Sequence, residues 1–440
     1  MGLLTFKGGI HPFEGKEMSM DKQVVELWPT GEMVYPLSQH IGAPAKPLVK
    51  KGDRVLRGQK IAEAGGFISA HIHSSCSGTV KAIETRRTSG GNMVMSIVVD
   101  NDGQFETVDF SQNLKPLDTL YTDDVREMIK EAGIVGMGGA GFPTNVKYSP
   151  KNENDIDHII VNGAECEPYL TSDYRRMVEE PDKLIAGLTI AVNLFPKAKG
   201  IIAIEDNKPE AIRILREKIG KSDKLSVNVM KTKYPQGGER SIIYANTGRT
   251  LNSSMLPADV GCIVSNVDTI IAIYEAVCEG KPLMERIVTV TGDAIANPIN
   301  LKVPIGTNCN ELIKAAGGFL GDIPPKIIAG GPMMGRNMVS LDVPTVKGLS
   351  AILCLSEDVV SASETTNCIR CGKCVEVCPS RLMPAELATI GEHHDTDKFK
   401  KLDGMECVEC GCCSYVCPAK RHLAQTIAST RKQILAMGKK

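Results

Sequence analysis

Eight cysteines near the C-terminus form two copies of one motif. The spacing Cys-x2-Cys-x2-Cys-x3-Cys-Pro runs over residues 368–379 and recurs over residues 407–418. Three closely spaced thiolates can cap three corners of a [4Fe–4S] cube, and the fourth cysteine of such a motif ligates the neighbouring cluster. We therefore predict two clusters with crossed ligands, Cys368, Cys371, Cys374 and Cys417 on the first and Cys407, Cys410, Cys413 and Cys378 on the second.

Zinc is the other metal that paired cysteines hold. A structural zinc ion takes two Cys-x2-Cys pairs, whereas each motif here has three equally spaced cysteines and then a cysteine before proline. The spacing therefore favours iron–sulfur clusters. Cys412 is out of register and is expected to be a bystander beside Cys413.

The other cysteines predict no disulfide framework. Such frameworks belong to small secreted domains, whereas this chain has 440 residues and its first residues show no signal-peptide pattern. A reducing compartment is therefore expected. The scattered cysteines expected to be small buried hydrophobes are Cys76, Cys166, Cys262, Cys278, Cys309 and Cys354.

A glycine-rich loop covers residues 136–144, with the sequence Gly-Met-Gly-Gly-Ala-Gly-Phe-Pro-Thr. It satisfies the GxGxxG pattern, but a dinucleotide fingerprint should follow a strand, and residues 125–132 have a helical pattern. An ordinary Rossmann fingerprint is therefore not predicted. Glycines still let backbone N–H groups approach a phosphate or an aromatic ring closely. The alternative is a plain glycine-rich turn.

Polar loops follow three of the predicted strands. Residues 162–169 (Asn-Gly-Ala-Glu-Cys-Glu-Pro-Tyr), 237–239 (Gly-Gly-Glu) and 265–269 (Ser-Asn-Val-Asp-Thr) each come after an apolar run. The carboxyl ends of parallel strands meet at one edge, which is where open α/β sheets bind ligands. One such loop alone could be a solvated turn. Three that converge predict a site whose carboxylates accept hydrogen bonds from ribose or ribityl hydroxyls.

The elements that must position these groups predict a multidomain α/β protein. Residues 1–115 have short apolar stretches with Gly and Pro, including hairpin strands at Val49–Val55 and Ser77–Ile83. This arrangement resembles the barrel-sandwich hybrid of biotinyl and lipoyl carrier domains. Residues 67–74, at the expected hairpin tip, contain no lysine, so a carrier function is not predicted.

Three further units follow. Residues 116–282 alternate helical patterns with buried strands, which predicts a Rossmann-like parallel sheet. Residues 283–360 form a smaller α+β unit, and residues 361–440 form the cysteine-rich module with a helical tail. The longest apolar stretch, residues 184–195, is shorter than the roughly 20 residues of a membrane-spanning helix. A net charge of −1 offers no footprint for nucleic acid.

Several of these segments carry a family resemblance. The glycine loop and the three polar loops resemble the flavin-site loops of the NADH-oxidising subunit of respiratory complex I. Residues 6–12 (Phe-Lys-Gly-Gly-Ile-His-Pro) and 36–44 (Pro-Leu-Ser-Gln-His-Ile-Gly-Ala-Pro) are more specific. Together with the twin cysteine motif they resemble the C subunit of the Rnf complex over essentially the whole chain.

This resemblance implies an activity and a setting. It implies a ferredoxin:NAD⁺ oxidoreductase, an ion-transporting translocase, with non-covalent FMN, NAD(H) and two [4Fe–4S] clusters. The chain would be peripheral on the cytoplasmic side of the plasma or inner membrane. Its partners would be membrane and iron–sulfur subunits that move Na⁺ or H⁺, with ferredoxin reached indirectly. Residues 283–360 would be a β-grasp, SLBB-like domain, and residues 361–440 a helical bacterial-type 2[4Fe–4S] ferredoxin domain.

The resemblance also assigns site residues. Phe142 and Glu167 would hold NADH, Lys147 would face the flavin phosphate, and no acid–base residue is required because the cofactors carry the chemistry. Ala164 and Arg240 stand where complex I has acidic residues, and Arg240 could pair with a phosphate. The residues that would contact FMN are Gly136, Gly138, Gly139, Gly141, Lys147, Asn162, Glu165, Gly238, Glu239, Ser265, Asn266 and Thr269.

Three rival functions remain. A cobalamin reductase of bacterial microcompartments resembles this chain in flavin and cluster content. A sodium-pumping quinone reductase component shares the N-terminal plan but lacks the twin cysteine motif. The third rival is an electron-relay scaffold without flavin. Nicotinamide exchanges two electrons as a hydride and each cube passes one, so a flavin is the expected intermediary.

Overall fold

The computed structural model describes residues 2–116 and 120–437. Its first unit is a sandwich of two antiparallel sheets, β2-β8-β7-β4 and β3-β5-β6, as the sequence predicts. Met33, Tyr35, Ile61 and Ile97 form its buried core. The first eight strands are β1 (Val25–Glu26), β2 (Met33–Pro36), β3 (Lys46–Pro47), β4 (Arg54–Val55), β5 (Lys60–Glu63), β6 (Ile72–His73), β7 (Gly78–Arg87) and β8 (Met93–Asn101).

One predicted strand of this unit is shorter than expected. Only Arg54–Val55 of the stretch Val49–Val55 forms a strand, and it pairs with Gly78 and Thr79 of β7. The preceding residues form a turn, in which the Asp53 carboxylate accepts a hydrogen bond from the Lys50 N–H at 2.9 Å. Short polar side chains that bond to nearby backbone groups compete with strand pairing in this way.

The second unit is a parallel sheet in the order β11-β10-β9-β12, with helices on its faces. Apolar runs with many β-branched residues form its central strands, and Ile159, Ile160 and Val161 are fully buried. Because all four strands are parallel, their carboxyl ends lie at one edge. The elements are α1 (Thr122–Glu131), α2 (Thr144–Lys147), β9 (His158–Gly163), α3 (Ser172–Glu179), α4 (Pro181–Asn193), β10 (Lys199–Glu205), α5 (Pro209–Ile219), β11 (Leu225–Met230), α6 (Glu239–Thr247), β12 (Cys262–Asn266) and α7 (Val267–Glu279).

The third unit is a mixed six-stranded sheet in the order β1-β14-β13-β17-β15-β16, with one helix packed on it. Its edge strand β1 comes from the segment that precedes the sandwich and runs parallel to β14. The elements are β13 (Glu285–Thr291), β14 (Ile299–Pro304), α8 (Cys309–Ala315), β15 (Lys326–Ala329), β16 (Arg336–Asn337) and β17 (Ala351–Leu355).

The last unit is helical and contains a structural repeat. Arg370 and Glu409 both have φ of 56°, Gly372 and Gly411 have φ of 78° and 79°, and these pairs occupy matching positions of the two cysteine motifs. The two motifs therefore share one local fold. The helices are α9 (Val359–Ala362), α10 (Lys373–Glu376), α11 (Pro384–Glu392), α12 (Thr396–Lys401), α13 (Cys412–Tyr415) and α14 (Leu423–Met437).

The opening segment of the chain connects these units. Leu4 bridges to Met230 at the end of β11, and Ile10 bridges to Tyr234 in the loop after it. The Gly9 N–H donates to the Val377 carbonyl at 2.7 Å, and β1 then joins the third unit. In the described ranges, no helix is long and apolar enough to cross a membrane.

Candidate cofactor sites

The three polar loops and the glycine loop meet at the carboxyl edge of the parallel sheet. Asn162, one residue before the end of β9, and Asn266, the last residue of β12, lie side by side in register. The Asn162 amide donates to the Gly237 carbonyl at 2.8 Å, which ties the loop before α6 to β9. A Cβ on Gly138 would lie 2.8 Å from Nδ2 of Asn266. The predicted convergence is therefore present.

The glycine loop presents bare backbone at this edge. Gly138 has φ of +82°, and Gly138 and Gly139 are both exposed. Among the described residues, nothing lies within 4 Å of a Cβ built on Gly139. The loop is fixed from below, where the Met137 N–H donates to the Thr269 hydroxyl at 2.9 Å. The end of the loop is also fixed, because the Gly141 carbonyl accepts a hydrogen bond from the Ile41 N–H at 3.2 Å.

Two carboxyl groups support the edge from within. The Glu165 carboxylate accepts the Asp173 N–H at 2.7 Å at the start of α3, and burial raises its pKa. The Asp173 carboxyl accepts the Asn266 amide at 2.7 Å, and burial raises the pKa of Asp173 to about 8. Neutral Asp173 is favoured near pH 7, so this acid sits beside the open edge without adding a full negative charge.

Lys147 and Ser265 lie just below the edge. The Lys147 ammonium donates to the Val264 carbonyl at 2.8 Å. Burial lowers the pKa of Lys147, and the charge of Glu239 partly offsets that effect. The buried Ser265 hydroxyl lies 3.0 Å from the Tyr148 hydroxyl. Lys147 is thus one turn into the helix that follows Pro143, as predicted, with its ammonium on a backbone carbonyl. Gly238 and exposed Glu239 start α6 beside it.

The two residues assigned to NADH lie in different surroundings. Phe142 is half-buried in the glycine loop, and its carbonyl accepts the Gly136 N–H at 2.8 Å. The Glu167 carboxylate accepts the N–H groups of Met333 and Met334 at 3.1 and 2.8 Å. A loop of the third unit therefore covers Glu167, and burial raises its pKa to about 7.

Replacing Glu167 by glutamine should change how stability depends on pH. The folded-state pKa of about 7 lies above the ordinary 4.5, so between these values the folded chain keeps a proton that the unfolded chain releases. The contribution of Glu167 to the free energy of unfolding therefore falls as pH rises. Between pH 5 and pH 8 the variant should gain about 3 kcal/mol on the wild type, measured from thermal midpoints. Glu376→Gln, which removes one exposed charge, is the control and should keep the pH profile of the wild type. Equal pH profiles for Glu167→Gln and wild type would contradict the raised pKa of Glu167.

Cysteines of both motifs lie close together in the last unit. Cys378 of the first motif and Cys407, Cys410 and Cys413 of the second line one cavity, whose other walls include the apolar residues Leu382, Pro384 and Ile427. Cys374 and Cys417 pack together against Leu423 and Ala388, while Cys368 and Cys371 are exposed.

The thiols around this cavity have the chemistry that an iron–sulfur cluster needs. Within the described ranges, no group of three or more His, Cys, Asp or Glu side chains could hold one metal ion. Five thiols line the shared cavity, and the four other than Cys412 match the ligand count of a [4Fe–4S] cube. Cys412 is fully buried and donates weakly toward the Tyr234 carbonyl, with Sγ 3.9 Å from the oxygen.

The second cysteine motif packs against the parallel-sheet unit. The Tyr234 hydroxyl donates to the Cys410 carbonyl at 2.8 Å, and the Met333 carbonyl lies 3.3 Å from a Cβ built on Gly411. The Arg240 guanidinium pairs with the Glu406 carboxylate at 2.7 Å. Arg240 is thus already paired with Glu406, next to Cys407, and a contact between Arg240 and a phosphate stays a prediction.

Comparisons with known proteins agree with this architecture. Family profiles match in the order "RnfC Barrel sandwich hybrid domain" (residues 4–104), "Nuo51 FMN-binding domain" (residues 129–275), "SLBB domain" (residues 287–337) and "4Fe-4S dicluster domain" (residues 367–420). Fold and site together define an electron-transfer protein that carries FMN and iron–sulfur clusters.

Curated relatives identify the family. The chain is 44% identical over 439 residues, 99% of its length and 98% of the relative's, to the C subunit of the Na⁺-translocating ferredoxin:NAD⁺ oxidoreductase complex of Acetobacterium woodii. It is 44% identical, covering 89% of itself and 85% of the relative, to the C subunit of the proton-translocating ferredoxin:NAD⁺ oxidoreductase complex of Clostridium ljungdahlii. The chain belongs to the RnfC family, the C subunits of these ion-translocating complexes.

A solved structure is more distantly similar. An NAD⁺-reducing [NiFe]-hydrogenase in the air-oxidized state matches with a TM-score of 0.49 and 20% identity. The match covers 64% of this chain and 54% of that one, so the chain spans about half its length. Likeness at this level is too low to transfer any property to this chain.

Several residues that shape the site are not apparent in the sequence. Asp173 lies in α3, a polar helix that the apolar pattern does not predict. Buried Lys16 donates to the Glu165 and Leu170 carbonyls at 2.8 and 2.6 Å and so fixes the loop after β9. Tyr234 joins this unit to the cysteine module. The glycine-rich stretch 330–335 was the one local signal for the loop that covers Glu167.

Proposed function

We propose that this chain is the peripheral subunit of a membrane-bound, ion-translocating ferredoxin:NAD⁺ oxidoreductase that connects NAD(H) to two iron–sulfur clusters through FMN. The observation that carries the proposal is one edge where an exposed glycine loop meets Asn162, Asn266 and the start of α6, with the second cysteine motif packed nearby. We place the four units of the chain at residues 1–115, 116–282, 283–360 and 361–440.

The sheet edge supplies groups suited to a flavin mononucleotide. Bare backbone at Gly138 and Gly139 leaves room for a flat ring system, and the amides of Asn162 and Asn266 can donate to its oxygen atoms. Exposed Glu239 can accept from ribityl hydroxyls, and Lys147 supplies the cation for the phosphate. The other residues that we assign to this site are Gly136, Gly141, Glu165, Gly238, Ser265 and Thr269, with Phe142 and Glu167 toward the nicotinamide nucleotide.

A bound flavin supplies one function that the residues cannot, since it can exchange one hydride (two electrons) with NADH and single electrons with a cluster. The chain sets the order of the centres. Tyr234 contacts the backbone at Cys410, so the thiols of the second motif, with Cys378, would hold the cluster nearer the flavin. The thiols of the first motif, with Cys417, would hold the cluster nearer the protein surface.

The relatives' names support the setting. They describe subunits of complexes that translocate Na⁺ or protons, so we place this chain on the cytoplasmic side of the cell membrane, held by membrane and iron–sulfur subunits. Those partners would move the ion, and ferredoxin would act through them. The relatives favour this function over the cobalamin reductase and the flavin-free scaffold.

An anaerobic absorption spectrum of the purified chain, taken before and after NADH, tests the proposal. We expect a flavin band together with broad iron–sulfur absorbance, and NADH should bleach the flavin band. Cluster absorbance without flavin would favour the relay scaffold. Flavin that is present but not reduced by NADH would contradict the proposed site for the nicotinamide nucleotide.

A further inference from the structure

The two cysteine motifs share one local fold but not one environment. Positions of the two motifs correspond at a spacing of 39 residues, so that Ile369 matches Val408 and Lys373 matches Cys412. In the second motif this face is covered by the chain itself, because Cys412 is fully buried and Val408 packs with Tyr234 and Met333. In the first motif the matching face is bare, and Ile369 is 67% exposed.

The bare face is also basic. Arg370 and Lys373 are interleaved with the exposed Cys368 and Cys371, and among the described residues neither cation has a carboxylate partner. In the second motif the position of Arg370 is taken by Glu409, which pairs with Arg431. The nearest acid in sequence, Glu376, matches Tyr415, which stays 52% exposed beside the covered face. Glu376 is therefore placed outside the matching face.

We propose that this face, made of Ile369, Arg370, Gly372 and Lys373, is the docking surface for an acidic protein domain that carries a one-electron centre. This inference rests on the proposed function, since it needs a cluster held by the first motif. In the second motif, where this face is covered, it brings the loop of proposed cluster ligands against Tyr234 of the unit in which we propose the flavin site. On the bare copy, the two unpaired cations select an acidic partner and steer its approach.

The test uses the full chain with both clusters loaded and a redox-inert probe, an acidic plant-type ferredoxin with gallium in place of iron. Arg370→Glu with Lys373→Glu should weaken binding of this probe at least about tenfold at low salt. Lys398→Glu with Lys400→Glu makes the same charge change on α12 of the same module and should leave binding within about twofold. Wild-type binding should also weaken steeply with added salt.

Cluster spectra separate the two ways in which this can fail. If the wild type carries no cluster on the first motif, the proposed function fails first. If both clusters are present and the Arg370/Lys373 variant binds the probe as well as wild type does, the docking surface is wrong. Equal weakening in both variants would show a general charge effect and would also overturn it. If Arg370→Glu with Lys373→Glu loses its cluster, Arg370→Gln with Lys373→Gln replaces it, and this variant should also bind the probe more weakly than wild type does. Wild-type binding that does not depend on salt concentration would contradict the docking surface.

Discussion

Replacing Cys378 by alanine should destroy the cluster of the second cysteine motif and spare that of the first. Iron should fall from about eight to about four atoms per chain, because each cube holds four. The reason is that Cys378 shares a cavity with Cys407, Cys410 and Cys413, although it lies 29 residues before the first of them. Electron paramagnetic resonance of the reduced protein should show one remaining cluster signal in place of two interacting ones.

Two further variants make the result specific. Cys417→Ala should have the opposite effect and damage the cluster of Cys368, Cys371 and Cys374. Cys412→Ala removes a buried thiol from the same loop without removing a predicted ligand, so both clusters should persist. If Cys378→Ala instead eliminated the first-motif cluster, each motif would use its own fourth cysteine and the crossed arrangement would be wrong.

Replacing Lys147 by alanine should weaken FMN binding by about one to two orders of magnitude. A charge-assisted contact to a phosphate contributes roughly 1.5–3 kcal/mol, and Lys147 is the cation that the structure holds just below the glycine loop. Its bond to the Val264 carbonyl costs little to exchange for a phosphate oxygen. The dissociation constant of FMN, measured by recovery of flavin fluorescence on dilution, is the direct readout.

The control for this variant is Lys151→Ala, which removes an exposed cation a few residues further on. It should leave FMN affinity unchanged, and both variants should keep full iron content because the clusters lie in another unit. Full FMN affinity in Lys147→Ala would show that the flavin phosphate binds elsewhere. Arg240 is already paired with Glu406, so the backbone N–H groups of the glycine loop would then be the next candidates.

Local sequence signals were enough to predict the parallel sheet and the cysteine-rich module. Apolar β-branched runs such as residues 158–162 predict buried parallel strands, and glycine or proline bounds them. The helical pattern before the glycine loop excludes an ordinary dinucleotide fingerprint, and α1 does precede that loop. The cysteine spacing predicts iron–sulfur cluster binding directly, because ligand geometry depends on short separations along the chain.

Contacts between units could not be predicted in this way. Arg240 is paired with Glu406, 166 residues away, and no local pattern reveals such a partner. The Glu167 carboxylate meets N–H groups of Met333 and Met334 for the same reason. α3 was missed because its first turn is polar and its burial comes from packing of Tyr174 and Met177 in the assembled core. In each case tertiary structure overrides the local pattern.

The opening segment has a consequence for synthesis on the ribosome. Gly9 bonds to Val377, and at roughly 5–20 residues per second about 20 to 75 seconds pass before that partner is made. Lys16 and β1 also wait for residues that are translated later. Each unit can collapse as it emerges, and Leu4, Ile10 and Lys16 can bind once residues 165–234 are made. Gly9, in contrast, has no partner until the cysteine module exists. Closure of the opening segment onto the cysteine module is thus a late step, completed only after most of the chain has been translated.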